Sequence, residues 1–144
     1  MALKKPSPKD LKNINALSKL LSSKTNLEML DIINLLGKIP SNLSSGMDDA
    51  LFQKVVANKS SDVLYVVLPY LNRFTGLSNK SAKQLLKITK NIEELSSRLG
   101  AFTGLDDEIA KKLIKGGQSL KVLLYIKSFK LTDYNFVVIE ALKE

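Results

Sequence analysis

The segment Phe74-Thr75-Gly76-Leu77 occurs again 28 residues later as Phe102-Thr103-Gly104-Leu105. The match extends beyond these four residues, with eight identities in the fourteen positions that begin at Phe74. An internal repeat of this length is typical of architectures in which small units stack side by side, because each unit alone is too small to bury its apolar face. The repeat therefore predicts how the chain is built, and it carries no information about chemistry.

A common pattern extends this repeat over residues 47–144. It consists of an apolar residue, a helix-capping residue, Asp or Asn, and then apolar residues five, eight and nine positions after the first. Copies begin at Met47, Leu77, Leu105 and Leu131, and the last copy departs from the pattern at Glu140. The spacings of 30, 28 and 26 residues leave room for a second helix in each unit, as in an α-solenoid. The predicted second helices cover residues 61–74, 91–99 and 119–129.

Two helix starts are predicted before the repeats. Ser7-Pro8-Lys9-Asp10 offers an N-cap, a proline at the first helical position and an acidic residue in the first turn. Thr25-Asn26-Leu27-Glu28 is a capping box, and the apolar helix that follows it is predicted to be buried on most sides. Residues 1–6 are predicted to be a flexible tail, and residues 7–46 form an N-terminal cap of two helices that ends in a loop.

Two short apolar runs, residues 63–68 and 122–126, fit either buried strands or helices. Aligned on the repeat, the first run falls on residues 91–99, which begin with a capping box, so we interpret both as helices. Pro69 is then expected to kink its helix. The prediction is an all-α fold: one domain, residues 7–144, of stacked antiparallel helix pairs (a short α-solenoid) with eight or nine helices.

The succession of capped, amphipathic helix pairs over residues 47–144 resembles the HEAT-like family of α-helical repeats, and more distantly the bacterial variant repeats whose helices start with Leu-(Ser/Asp)-(Asp/Asn). The chain lacks the Asp and Arg pair that HEAT units carry in their second helix. The resemblance implies a scaffold that binds proteins or, in some basic members, nucleic acid. It implies no catalytic residue.

The composition argues against an enzyme. The chain has no histidine and no cysteine, so the usual general base, most zinc sites and thiol chemistry are missing. Carboxylates cluster only at Asp48-Asp49, Glu93-Glu94 and Asp106-Asp107-Glu108, each in the first turn of a predicted helix where capping explains it. We therefore predict no catalytic residue, no metal and no cofactor. No apolar run reaches about 18 residues, which favours a soluble, cytoplasmic protein.

The formal charge is +8, and 20 of the 22 basic residues are lysine. Such a charge favours acidic partners: nucleic acid, an anionic membrane or an acidic protein. A membrane surface is disfavoured because the apolar faces lack interfacial tryptophan. If the protein binds nucleic acid, a binding surface of lysine rather than arginine predicts that it discriminates only weakly between base sequences.

Lysines recur at helical spacing within the repeat. Lys80, Lys83, Lys87 and Lys90 are three, four and three residues apart, so on one helix they form a stripe. The equivalent positions one unit later carry further lysines, and the two stripes are expected to merge into one basic face. The candidate binding residues are Lys80, Lys83, Lys87, Lys90, Lys111, Lys112 and Lys115.

The function predicted from these features is non-catalytic binding, an adaptor or regulator that holds an acidic protein partner on the lysine-lined face. The alternative is sequence-tolerant binding of nucleic acid by the same face. Most aromatic residues, including Tyr65, Tyr70 and Tyr125, are expected in the core rather than on a stacking platform, with Tyr134 as the exception. The C-terminal helix, residues 132–143, is apolar on several sides, so a homodimer through this helix is a further expectation.

Overall fold

The chain folds into α-helices in the part that the structure, a computed structural model, describes: residues 3–23, 29–58 and 61–143. Within these residues there are nine α-helices and no β-strand, which confirms the all-α prediction. The helices are α1 (Pro8–Ser22), α2 (Met29–Lys38), α3 (Asp49–Val56), α4 (Ser61–Val67), α5 (Asn79–Thr89), α6 (Ile92–Ser96), α7 (Asp107–Lys115), α8 (Ser119–Leu124) and α9 (Tyr134–Lys143).

The helices fall into two compact units. The first, Met1–Thr75, contains α1 to α4, and there α1 packs on α2 and α3 while α4 packs on the same two helices. The second, Gly76–Glu144, contains α5 to α9, and there α5 packs on α6, α7 packs on α8, and α9 packs against both α7 and α8. The boundary falls within the first Phe-Thr-Gly-Leu segment. The prediction of a single domain stays a prediction.

Helix α1 begins where its capping residues predict. The Ser7 Oγ atom accepts a hydrogen bond from the Asp10 N–H at 3.1 Å, and the Asp10 carboxylate accepts one from the Ser7 N–H at 3.0 Å. These two bonds complete a capping box. The capping box predicted at residues 25–28 lies outside the described residues.

Part of the predicted tail is paired with the loop after α2. The Lys4 N–H donates to the Asn42 carbonyl at 2.8 Å, and the Ser44 N–H donates to the Lys4 carbonyl at 2.8 Å. These two hydrogen bonds form a single parallel bridge between Lys4 and Leu43. The bridge holds the chain next to the loop shortly before α1 starts.

Helix α2 is less buried than the sequence predicts. Ile32 and Leu36 are fully buried, but Leu30 is 65% exposed. The neighbours of α2 are α1 and α4, and the two buried residues, one turn apart, face them. The sequence predicted too much burial because the apolar pattern of a helix does not show how many other helices pack against it.

The same backbone link closes three successive helix pairs. In each, the second residue after the 3₁₀ turn that ends the second helix donates its N–H to the carbonyl of the apolar residue before the cap of the first helix. The pairs are Thr75 to Met47 at 2.9 Å, Thr103 to Leu77 at 2.9 Å, and Lys130 to Leu105 at 2.7 Å. The links after Leu77 and Leu105 are also parallel bridges, to Phe102 and Phe129.

This link explains the Phe-Thr-Gly-Leu repeat. The phenylalanines, Phe74 and Phe102, are 2% and 1% exposed and lie in the core. The glycines that follow, Gly76 and Gly104, have φ angles of 67° and 73°, in the left-handed region that glycine adopts without a steric penalty. The repeat is therefore a turn that ends one helix pair and leads into the next.

The second helices are confirmed as helices, and each ends as a 3₁₀ turn. Helix α4 continues as 3₁₀ over Leu68–Arg73, α6 is followed by Leu99–Ala101, and α8 by Ile126–Ser128. The predicted kink at Pro69 takes the form of the change from α to 3₁₀ at Leu68. Proline lacks the N–H that an α-helical bond needs, and its ring clashes with the preceding turn, so the α-helix stops before it.

Helix α9 starts one residue later than the repeat pattern predicts. Asp133, rather than Thr132, accepts a hydrogen bond at the first turn, from the Phe136 N–H at 3.1 Å. Thr132 is instead bound to Asp107, whose carboxylate accepts its N–H at 2.9 Å and its hydroxyl at 2.7 Å. The tertiary contact with α7 therefore sets where α9 begins.

A shift of one residue turns a helix by about 100°. The pattern's apolar positions in the last copy, Phe136 and Ile139, are therefore 43% and 52% exposed. Val137 and Ala141 take the buried positions, at 0% and 2% exposure. Phe136 and Ile139 thus do not take the inward positions that the equivalent residues take in the earlier copies.

Candidate binding surface

All the lysines of the predicted binding set are exposed and belong to the second unit. Three lie on α5 and three on α7, and one follows the end of α5. We call this set the lysine face: Lys80, Lys83, Lys87, Lys90, Lys111, Lys112 and Lys115.

Lys90 does not continue the α5 stripe. The helix ends at Thr89, and Lys90 adopts φ 55° and ψ 25°, the left-handed conformation that terminates many helices. Its N–H donates to the Leu86 carbonyl at 2.8 Å. The spacing of three, four and three residues therefore describes one helix face only as far as Lys87.

Lys83 lies between two carboxylates of the next helix pair. Its Nζ atom is 3.1 Å from Asp106 Oδ2 and 3.2 Å from Glu108 Oε2. The hydrogen bond to Asp106, and then the one to Glu108, raises the pKa of Lys83 above its ordinary value. The positive charge of Lys83 is thus already balanced by Asp106 and Glu108.

Glu108 is shared by both lysine stripes. Besides Lys83 it binds Lys112, whose Nζ atom is 3.4 Å from Glu108 Oε1. The hydrogen bond from Lys83, and then that from Lys112, lowers the pKa of Glu108, so this carboxylate is charged at neutral pH. The two stripes therefore meet through a carboxylate, and the expected merger into a surface of one sign does not occur there.

Asp106 makes further contacts besides the predicted capping bond. Its Oδ1 atom accepts the Ile109 N–H at 3.0 Å, which caps α7, and its Oδ2 atom accepts the Asn79 amide at 2.8 Å. Burial raises the pKa of Asp106, but the hydrogen bonds from Ile109 and then Lys83 outweigh it, and the pKa is lowered. The sequence analysis assigned Asp106 only a capping role, so it missed the contact with Lys83. The repeat alignment, which places Glu108 at the position of Lys80, was the available signal that the two stripes differ in sign.

Lys111 rests on an aromatic ring instead of a carboxylate. Its Nζ atom is 4.9 Å from the centre of the Phe136 ring, a cation–π contact. Phe136 was not among the predicted binding residues because the repeat pattern assigned it to an apolar position. The lysine face therefore borders the exposed apolar side of α9.

The lysines line shallow depressions on both helices. One, of about 320 Å³, is lined by Asn79, Lys80, Lys83, Gln84 and Lys87. Another, of about 400 Å³, is lined by Glu108, Lys111, Lys112 and Lys115. Both are open to solvent, which suits extended contact with a macromolecule better than enclosure of a small ligand.

A third depression lies on α1 in the first unit. It measures about 610 Å³ and includes Lys12 and Lys19 among its lining residues. These two lysines provide a natural comparison for experiments on the lysine face, since they are exposed and belong to a different unit.

Two of the tyrosines are more exposed than the sequence predicts. Tyr65 is 48% exposed and Tyr125 is 40% exposed, although both lie in apolar runs that were expected in the core. Tyr134, at 53%, is exposed as expected.

The acidic side chains of the described residues form no group of three or more that could hold a metal ion. In the described part of the chain, none of the helices combines the length and the apolar character needed to cross a membrane.

Comparison of the chain with protein-family models, with curated proteins and with solved structures gives no match. The HEAT-like relationship therefore stays a prediction based on the repeat.

Proposed function

We propose that the protein is a non-catalytic binding module that holds an acidic protein partner on the lysine face. Lysine supplies point charges that pair readily with carboxylates. Lys80, Lys87 and Lys115 form no salt bridge with any residue that the structure describes, and their ammonium groups are exposed to a partner. The module acts through surface recognition, in keeping with the open depressions that these lysines line.

The position of Asp106 and Glu108 favours an acidic protein over nucleic acid as the partner. These two carboxylates lie within the lysine face, bound to Lys83 and Lys112. A nucleic acid presents a dense row of phosphates, about one charge per 1.7 Å of duplex, and would bring some of them against the two carboxylates. An acidic protein can place its side chains over the unpaired lysines and leave this central pair undisturbed. Nucleic acid is the rival partner.

The test is fluorescence anisotropy with defined probes. The probes are an acidic peptide of about 16 residues, a DNA duplex, single-stranded DNA and RNA, at about 50 and 200 mM salt. The test variant is Lys87→Glu/Lys115→Glu, because these side chains form no described salt bridge and their replacement leaves the internal ion pairs in place. The matched control is Lys12→Glu/Lys19→Glu on α1, which changes the net charge equally.

The acidic peptide is expected to bind at micromolar concentration and to lose about tenfold or more in affinity in the test variant, but not in the control. Tighter binding of a nucleic acid, with a salt slope of about −0.7 to −0.9 per phosphate and loss in the test variant, would assign the face to nucleic acid. Equal losses in both variants would show that only net charge matters, and the lysine face would then be no site.

A further inference from the structure

Helix α9 has apolar side chains on both of its sides. Val137 and Ala141 face the interior and are buried. Phe136, Ile139 and Leu142, three residues apart along the helix, are 43%, 52% and 69% exposed. The outward side of a surface helix is usually polar, so this apolar outward side has the character of a contact surface.

Lys111 places a positive charge at the border of this apolar side, where its ammonium lies over the ring of Phe136. Lys143 in the last turn of α9 is 67% exposed and forms a salt bridge with Glu140 at 3.3 Å. The charge of Lys111 acts on the carboxylate of Asp107, whose oxygens already accept hydrogen bonds from Thr132 and Asp133. Lys111 can therefore bind a carboxylate from outside while its ammonium stays over the ring.

We propose that the outward side of α9, together with Lys111, docks an amphipathic helix of the partner protein. The partner helix would carry a stripe of apolar residues against Phe136, Ile139 and Leu142, and acidic residues along the border that meets Lys111. This inference rests on the proposed function and names the form that the acidic partner takes. Because α9 has 10 residues and is about 15 Å long, the matching segment is about three turns.

Charge complementarity favours this partner over a second copy of the chain. Two copies that meet through α9 would bring Lys111 of each copy to one interface, and the whole chain already carries a formal charge of +8. An acidic helix removes this repulsion. The homodimer expected from the sequence is therefore the rival occupant of the same surface.

The experiment measures binding of labelled peptides to the full chain. One peptide of about 16 residues has leucine, alanine and glutamate arranged with helical periodicity, a second has the same composition with that periodicity scrambled, and a third has lysine in place of glutamate. The protein variants are Phe136→Ser/Ile139→Ser and, separately, Leu142→Ser. The control is Leu30→Ser on α2, which is also an exposed leucine. Circular dichroism verifies that each variant is folded.

The amphipathic acidic peptide is expected to bind about tenfold or more tightly than the scrambled one, and Phe136→Ser/Ile139→Ser is expected to abolish this preference. Leu142→Ser should reduce it, and Leu30→Ser should leave it unchanged. If both acidic peptides bind equally and the α9 variants do not differ from wild type, the helix-docking proposal is overturned while the acidic-partner proposal stands. If neither acidic peptide binds, the proposed function itself fails.

Two further outcomes would overturn the proposal in specific ways. Equal binding of the lysine peptide would show that the border charges play no part. Sedimentation equilibrium that finds a dimer, converted to a monomer by Phe136→Ser/Ile139→Ser, would assign the outward side of α9 to a second copy of the chain.

Discussion

Asn79 and Asp106 are joined by two hydrogen bonds that link the first helices of successive helix pairs. The Asn79 amide donates to Asp106 Oδ2 at 2.8 Å, and the Asp106 N–H donates to Asn79 Oδ1 at 3.1 Å. In the next copy of the repeat the same relationship recurs, because Asp107 accepts the N–H of Thr132 at 2.9 Å. In these two copies the Asn or Asp that follows the cap residue therefore binds the start of the first helix of the next pair.

Replacing Asn79 tests this link. Asn79→Ala is expected to lower the free energy of unfolding by about 1–3 kcal/mol, because the Asp106 N–H loses its partner and Asp106 Oδ2 keeps only Lys83. Asn79→Asp should be worse at neutral pH, since it removes the donor and places two carboxylates together. Urea unfolding gives both values. Lys80→Ala, an exposed residue on the same helix, is the control, and an equal loss there would contradict a specific role for Asn79.

Acid should destabilise the protein through the carboxylates of this linkage. Hydrogen bonds, first from the Thr132 hydroxyl, lower the pKa of Asp107 below its ordinary value of 3.8, and Lys83 and Lys112 lower that of Glu108 below 4.5. A group whose pKa is lower in the folded state stabilises it above the unfolded-state pKa. That contribution disappears as the pH falls from about 4.5 through the folded-state values.

The measurement is the urea midpoint of unfolding at a series of pH values between 7 and below about 3. The midpoint is expected to be nearly constant down to about pH 5 and then to fall. Asp107→Asn should reduce the size of this fall, because one of the responsible groups no longer titrates. If the variant and the wild type lose the same amount, Asp107 does not contribute to the acid sensitivity.

The two kinds of glycine in the chain should respond oppositely to alanine. Gly104 has a φ angle of 73° and open space around it, so Gly104→Ala is expected to cost about 1–2 kcal/mol from backbone strain alone. Gly37 lies inside α2 with no atom close to where an added methyl group would lie, and Gly37→Ala should stabilise by up to about 1 kcal/mol. Thermal unfolding of the two variants side by side checks this, and stabilisation by Gly104→Ala would refute the account of the repeated turn.

Two buried serines of the second unit form a matched pair. The Ser128 hydroxyl donates to the Leu99 carbonyl at 2.9 Å, so Ser128→Ala is expected to destabilise by about 1 kcal/mol or more. The Ser119 hydroxyl is buried and has no hydrogen-bond partner among the described residues. Ser119→Ala should therefore be neutral or stabilise by up to about 1–2 kcal/mol. A destabilising Ser119→Ala would mean that the hydroxyl has a partner, such as a bound water.

The core positions show how far the repeat pattern could predict packing. Phe52, Ala82 and Ala110, five residues after the start of their copies, are all 0% exposed as the pattern requires. Phe136, at the same position of the last copy, is not, because α9 starts one residue late. A pattern taken from three copies can describe the fourth only where the contacts that position its first turn are the same.

The exposure of the candidate lysines was predictable from the sequence, but their ion pairs were not. Helical spacing was enough to place six of the seven on the outer sides of α5 and α7, whereas Lys90 follows the end of α5. It could not show that Lys83 is held by Glu108, because their contact joins residues 25 positions apart. Nor could it show that Lys111 lies on Phe136, since that contact needs both α7 and the shifted α9.

Local sequence was enough to determine the helices and the turn that repeats between them. Ser7 with Asp10, and Asp106 with Ile109, form capping bonds between residues three positions apart, and Gly76 and Gly104 permit the turn through their own backbone freedom. Such local interactions are present in any short window of the chain. The start of α9, the neutralisation of Lys83 and the exposure of Phe136 were decided by tertiary packing. Each of these depends on a partner that is distant in sequence and becomes a neighbour only after the helices have packed.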